Sequence, residues 1–331
     1  MIKYPPIKIN LGLNVLRKRE DGFHDLETLF LESGRFHDTL EIVTGDDYSR
    51  TMASLAARYG DRCGISDGDI PALAQGISEN GKLMITVARK EGVDWDVRKD
   101  LCAKAYALLD NDFKLPPAKI FLEKNSPVGA GLGGGSADAA YTLTMLNDIC
   151  SLGLSTEQLA GYAARLGSDC AFFIFGRPMF GEGRGEVLTP FELAVDIVDA
   201  GGAACSGSRT GSSDGGNDSS GTGTARPCTR EHPEKDRPQY ELQIVIPEGI
   251  SVSTAEAYRG ITPAIPEMRL KDVLARPVSE WKDLLVNDFE ATVFKAHPEL
   301  AAIKQSLYDS GAIYASMSGS GSALFALYER R

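Results

Sequence analysis

What this 331-residue chain lacks narrows its class before any motif is considered. Basic charge is short: 35 Lys and Arg stand against 46 Asp and Glu, a net charge of −11. Nucleic acid or an anionic membrane needs a basic face, so neither is expected as a partner. Long apolar runs are missing too. Ala171-Phe-Phe-Ile-Phe175 is typical of the longest, far short of the roughly 20 residues that span a bilayer. Met1-Ile-Lys-Tyr-Pro-Pro6 passes at once into strand-like sequence and does not read as an export signal. The six cysteines, at 63, 102, 150, 170, 205 and 228, contain no Cys-x-x-Cys pair, which excludes a zinc ribbon or disulfide frame and suits a reduced, cytoplasmic protein. Between Asp199 and Gln239 there is no Val, Ile, Leu, Met, Phe, Trp or Tyr. Such a stretch buries too little to offset its ordering entropy, so a disordered surface insertion is expected there.

Glycine, by contrast, is plentiful, and it is densest in Pro127-Val-Gly-Ala-Gly-Leu-Gly-Gly-Gly-Ser-Ala-Asp-Ala-Ala140. Glycine admits positive φ and lets backbone N–H groups approach an anion with no Cβ in the way. Strand-like Lys119-Ile-Phe-Leu-Glu123 leads in, and Ala137, Ala139, Ala140, Leu143 and Leu146 predict a helix leading out, with Ser136 as its N-cap. A helix start adds unpaired donors and about half a positive charge, so the segment reads as a phosphate cradle.

Two lookalikes fail on context. Gly129-x-Gly131-x-x-Gly134 fits the dinucleotide fingerprint, but the acid that should end a following strand is Asp148, at the end of the predicted helix. Gly76-Ile-Ser-Glu-Asn-Gly81-Lys82 has Walker spacing, yet Leu83 replaces the magnesium-binding hydroxyl, and a turn before a strand is expected instead. Asp138 falls in the predicted first helical turn. The helix dipole favours a carboxylate there by about 0.3 to 1 kcal/mol, whereas a bound polyphosphate repels it. From the residues alone, a dipole partner and a proton acceptor or metal ligand remain equally open.

In Ile7-Lys-Ile-Asn-Leu-Gly-Leu-Asn14 apolar and polar residues alternate, which puts Lys8, Asn10 and Asn14 on one strand face and Ile7, Ile9, Leu11 and Leu13 on the core face. Asp21-Gly22 then reverses the chain and delivers Phe23 and His24, an aromatic and an imidazole suited to a planar base.

These blocks, followed by Gly181-Glu-Gly-Arg-Gly-Glu-Val-Leu-Thr-Pro190 and Met317-Ser-Gly-Ser-Gly-Ser322, come in an order that resembles the GHMP kinase superfamily. The cradle alone indicates the superfamily. The Asp-Gly-Phe-His turn with Lys-Ile-Asn points to the branch acting on 4-diphosphocytidyl-2-C-methyl-D-erythritol in non-mevalonate isoprenoid biosynthesis. The resemblance implies a two-domain α+β fold, with an N-terminal ATP-binding domain over residues 1–154 and a ferredoxin-like substrate domain over 155–331, around a central cleft. It implies ATP and Mg²⁺ as cofactors, small molecules as partners, and a monomer or homodimer. Asp138 would be the base for the 2-hydroxyl and Lys8 would stabilise that oxygen. Pro127, Val128, Gly129, Ala130, Gly131, Leu132, Gly133, Gly134, Gly135, Ser136, Ala137 and Lys104 would bind ATP, with Ser136 also touching the metal. Asn10, Phe23, His24, Phe180, Gly319 and Ser320 would bind substrate, with Phe23 and Phe180 sandwiching cytosine. An acid, Asp100, stands where relatives carry an Asn beside the adenine. A homoserine- or mevalonate-type kinase and a non-catalytic nucleotide-binding protein are the competing readings. A second insertion, from about 46 to 82, contains helix-compatible Met52-Ala-Ser-Leu-Ala-Ala-Arg58.

Overall fold

The turn at Asp21-Gly22 forms as expected: Asp21 Oδ1 accepts from the Phe23 N–H at 3.1 Å, and Gly22 takes φ +86°. It joins β2 (Pro6–Lys18) to β3 (His24–His37) in an antiparallel hairpin. The computed structural model describes residues 1–45, 72–200 and 237–330. The predicted helix over Met52–Arg58 and the interior of the insertion after Asp199 lie outside the described residues.

A first sheet has the order β1-β4-β7-β6-β5, from β1 (Ile2–Lys3), β4 (Thr39–Thr44), β5 (Ala72–Ile77), β6 (Leu83–Arg89) and β7 (Ala118–Lys124). The Walker-like segment is the turn between β5 and β6. Against this sheet pack α1 (Leu101–Phe113) and α2 (Gly134–Ile149), whose Ala139, Leu143 and Leu146 are fully buried. Helices α3 (Thr156–Ala164) and α4 (Cys170–Phe175) join the same core through Leu159, Ala163, Cys170 and Ala171.

The second sheet runs β2-β3-β8-β9, adding β8 (Met179–Glu182) and β9 (Val187–Pro190). The third runs β10-β11-β13-β12, from β10 (Asp196–Asp199), β11 (Gln239–Val245), β12 (Tyr314–Met317) and β13 (Leu324–Glu329). Short helices accompany it: α5 (Thr254–Arg259), α6 (Leu270–Leu274), α7 (Trp281–Leu284), α8 (Phe289–Ala296) and α9 (Pro298–Asp309). Ile7, Ile9, Leu11 and Leu29 meet Ile197, Leu242, Trp281 and Phe325 in a core between the second and third sheets.

Two expectations are corrected here. Strand β8 hydrogen-bonds to β3, and α3 and α4 share the core of α2, so elements on both sides of residue 155 pack together. The alternation in β2 stops at Gly12, where a bulge with φ +73° slips the register between Leu11 and Leu13. A Cβ there would lie 2.5 Å from Leu270 Cδ1, and the positive φ strains any other residue. Past the bulge, Leu13 comes to the cleft side that Lys8 and Asn10 occupy, and Asn14 does not. Ser136 is not the N-cap of α2; the helix begins at Gly134 behind Gly133, which has φ 71°, and no side chain caps it. Asp138 therefore sits in the second turn. Among the described residues no helix is long and apolar enough to cross a membrane.

Candidate active site

The cradle alternates conformation: Gly129, Gly131 and Gly133 all have φ between +71° and +77°, which frees their amides from regular pairing. Strand β2 holds it from below through the Lys8 N–H, which donates to the Leu132 carbonyl at 2.8 Å. The β12–β13 loop holds it from above. Ser318 Oγ donates to the Gly131 carbonyl at 3.2 Å, and the Ala323 N–H to the Ala130 carbonyl at 3.1 Å. A Cβ on Gly131 would collide with the Ser318 carbonyl, so the third motif packs on the first at a glycine. Buried Asn287 fixes that loop, its Nδ2 donating to the carbonyls of Met317 at 2.7 Å and Gly319 at 2.9 Å.

A cavity of about 890 Å³ opens beside the cradle. Lys8 and Asn10, both nearly fully buried, form its floor. Lys8 Nζ donates to Asn10 Oδ1, and Asn10 Nδ2 donates to Thr28 Oγ1 at 3.0 Å. The acid that meets Lys8 is Asp169: Lys8 Nζ and Asp169 Oδ2 are 3.2 Å apart. Asp169 precedes α4, makes no side-chain cap bond, and keeps its side chain 32% exposed toward the cavity.

The expected pairing of Lys8 with Asp138 is therefore corrected. Asp138 is 1% exposed on the opposite side of the cradle, where its Oδ2 accepts from Lys124 Nζ at 2.7 Å. The second turn of α2 faces the end of β7, and Lys124 is the last residue of that strand. A smaller cavity of about 390 Å³ lies there, lined by Trp95, Lys99, Asp100, Lys124, Asp138 and the whole run from Pro127 to Ser136.

Three further assignments change. Phe180 is fully buried, opposite Leu29 and 5.9 Å from the Phe191 ring, so it cannot cover a base. Phe180→Ala should accordingly cost about 3 to 5 kcal/mol in denaturant unfolding, the usual penalty for emptying a core aromatic, with the substrate KM of the folded protein little changed. Ala137 is likewise fully buried, against Phe30 and Phe172. Lys104 is exposed on α1 and lines neither cavity, whereas Asp100 caps that helix by accepting from the Cys102 N–H at 2.9 Å and also accepts from Trp95 Nε1.

The far wall of the larger cavity is aromatic. Phe23 is 54% exposed, and His24 stacks on Tyr258 with ring centroids 4.8 Å apart and planes 21° from parallel. Burial, and then the charge of Lys18, lower the His24 pKa below its usual range, so the ring is neutral at neutral pH. Gly319 and Ser320 line the same cavity. Tyr258 and Asp169 were not found from sequence. A Gly167-Ser-Asp169 start before an apolar run could have suggested Asp169 as a helix-terminal acid, but nothing local marks Tyr258.

The GHMP kinases N terminal domain model matches residues 100–177, and the GHMP kinases C terminal model matches 270–331. The chain is 38% identical over 329 residues to the 4-diphosphocytidyl-2-C-methyl-D-erythritol kinase of Bacteroides thetaiotaomicron, covering 99% of this chain and 92% of that one. It is 32% identical to the enzyme of that name from Cytophaga hutchinsonii, covering 100% and 93%. A crystal structure of 4-(cytidine 5'-diphospho)-2C-methyl-D-erythritol kinase superposes with a TM-score of 0.63 at 26% identity, covering 99% of this chain and 90% of that one. The mevalonate kinase of Methanococcus jannaschii, with a TM-score of 0.54 at 11% identity, shares the fold. The chain belongs to the 4-diphosphocytidyl-2-C-methyl-D-erythritol kinase family of the GHMP kinases.

Proposed function

We propose that this enzyme transfers the γ-phosphoryl group of ATP to the 2-hydroxyl of 4-diphosphocytidyl-2-C-methyl-D-erythritol, a step of non-mevalonate isoprenoid biosynthesis. The observation that carries the reading is the contact between Lys8 and Asp169 in the wall of a cavity, with a glycine cradle on one side and the exposed Phe23 ring on the other. The smaller cavity would take the nucleotide, with Trp95 and Pro127 beside the base and the amides from Gly131 to Ser136 on the phosphates. The larger would take the cytidyl substrate, its base on the exposed ring of Phe23, with neutral His24, itself stacked on Tyr258, at its polar edge.

The chemistry needs a proton acceptor and a positive charge at one oxygen. Asp169 would accept the hydroxyl proton as the O–P bond forms, while Lys8 stabilises the negative charge on the attacking oxygen. The bond from the γ-phosphorus to its bridging oxygen breaks as ADP leaves. Amides of the cradle meet the charge on the transferred group from the other side. Mg²⁺ would neutralise phosphate charge when bound. Ser136, half-buried on the smaller cavity, fits a contact to a largely hydrated ion, since among the described residues no three His, Cys, Asp or Glu side chains form a metal cluster.

Phosphate transfer from labelled ATP to a panel of the cytidyl compound, homoserine and mevalonate tests this function, and only the first should turn over efficiently. Equal turnover of all three would refute the substrate reading. Phe23→Ala should raise KM for the cytidyl compound roughly five- to 150-fold, the equivalent of about 1 to 3 kcal/mol for one base stacked on an aromatic, without changing KM for ATP. Initial rates with each substrate varied in turn check it.

A further inference from the structure

Behind the cradle lies a group that phosphoryl transfer does not explain: Asp38, Lys124 and Asp138, all buried, with two carboxylates sharing one ammonium. Their hydrogen bonds are unequal. Asp38 Oδ1 accepts from the N–H groups of Asn125 and Ser126 at 2.7 Å each, and its Oδ2 accepts from Ser126 Oγ at 2.7 Å and from Lys124 Nζ. Four donors occupy both oxygens. Asp138 accepts only from Lys124, on Oδ2, and its Oδ1 has no hydrogen-bond partner among the described residues. A buried carboxylate oxygen with no donor is costly, whereas a carboxylic acid brings its own donor. One ammonium also cannot neutralise two carboxylates, and an uncompensated anion at this position would repel the phosphates for which the cavity is built.

We infer that Asp138 is held as a neutral acid in the resting enzyme and donates its Oδ1 proton to an oxygen of the nucleotide bound in the smaller cavity, which Asp138 lines beside Gly134 and Ser136. The inference rests on the reading of that cavity as the nucleotide site. Burial raises the Asp138 pKa well above the usual carboxylate range. Lys124 opposes the shift, and the charges of Asp38, and of Asp100 at the start of α1, add to it. Cys102, facing the same cluster, is itself a neutral thiol, pushed up by burial. The residue would thus serve nucleotide affinity, leaving proton abstraction to Asp169.

ADP titration calorimetry on wild type, Asp138→Asn and Asp138→Ala tests this, with thermal melts to check folding. The alanine variant should bind ADP about ten- to 150-fold more weakly, as for one lost hydrogen bond to a charged group, and the isosteric amide, neutral and able to donate, should recover most of that loss. If the folded Asn variant binds as weakly as the Ala variant, an ionised carboxylate is needed and the inference fails; unchanged affinity in the Ala variant overturns it equally. Should the Ala variant not fold, the infrared difference between wild type and Asp138→Asn decides. A protonated-carboxyl C=O band is expected without nucleotide and should shift when ADP is added; its absence refutes the neutral acid. If wild type itself does not bind ADP, the donor role falls with the nucleotide reading, and the band separates that failure from an error about protonation.

Discussion

Asp169→Asn should lower kcat for phosphate transfer about 10²- to 10⁴-fold, the usual contribution of a positioned general base. The amide cannot take the hydroxyl proton, but it keeps the size and polarity of the side chain 3.2 Å from Lys8 Nζ. Two features separate this loss from unfolding. Asp169 makes no side-chain cap bond to α4, so the exchange removes no helix cap. The nucleotide cradle is also built from backbone amides that the residue does not hold, so ADP affinity should stay near wild type. Single-turnover transfer from labelled ATP at saturating substrate measures the chemical step directly. Turnover equal to wild type would remove Asp169 from the base role.

Lys8→Met should cost about 10²- to 10³-fold in kcat, comparable to loss of one oxyanion donor in a water-poor site. Methionine preserves much of the unbranched stem that fills the floor beneath Gly133, where a glycine Cβ would lie 3.0 Å from Lys8 Cγ. What is removed is the ammonium, buried with Lys8 at 3% exposure and held by Asn10. Because Lys8 and Asp169 act on one oxygen, the double variant should lose far less than the product of the two single losses, as groups working as a unit do. Steady-state kcat values for the four proteins of this cycle supply the check. Strict multiplication of the losses would mean that the two groups act independently.

The cradle was legible because its information is local: five glycines between 129 and 135, a strand before them and a helix after. That Lys8 and Asn10 share one strand face followed from period-two alternation for the same reason. Legibility ended where packing between distant segments decides. Which acid meets Lys8 depends on how α4 docks against α2 beside β2, and no spacing in the chain records a contact between residues 8 and 169. Asp138 and Asp169 both stand near helix starts, but the second turn of α2 points its acid toward β7. Phe180 was misassigned because a strand aromatic reads alike on either face; its pairing with Leu29 turns it into the core. The Gly12 bulge was hidden because Leu11-Gly-Leu13 continues an apolar alternation on paper, although positive φ breaks it in space. Three consecutive glycines blurred the start of α2, where backbone conformation replaces any side-chain cap.

The most direct measurement is the single-turnover rate of phosphate transfer for Asp169→Asn set against Asp138→Asn, both saturated with ATP and the cytidyl compound. The expected result is that the Asp169 variant is slower by about two orders of magnitude or more. Equal rates, or a slower Asp138 variant, would show that the acid beside Lys124, and not the one beside Lys8, takes the proton.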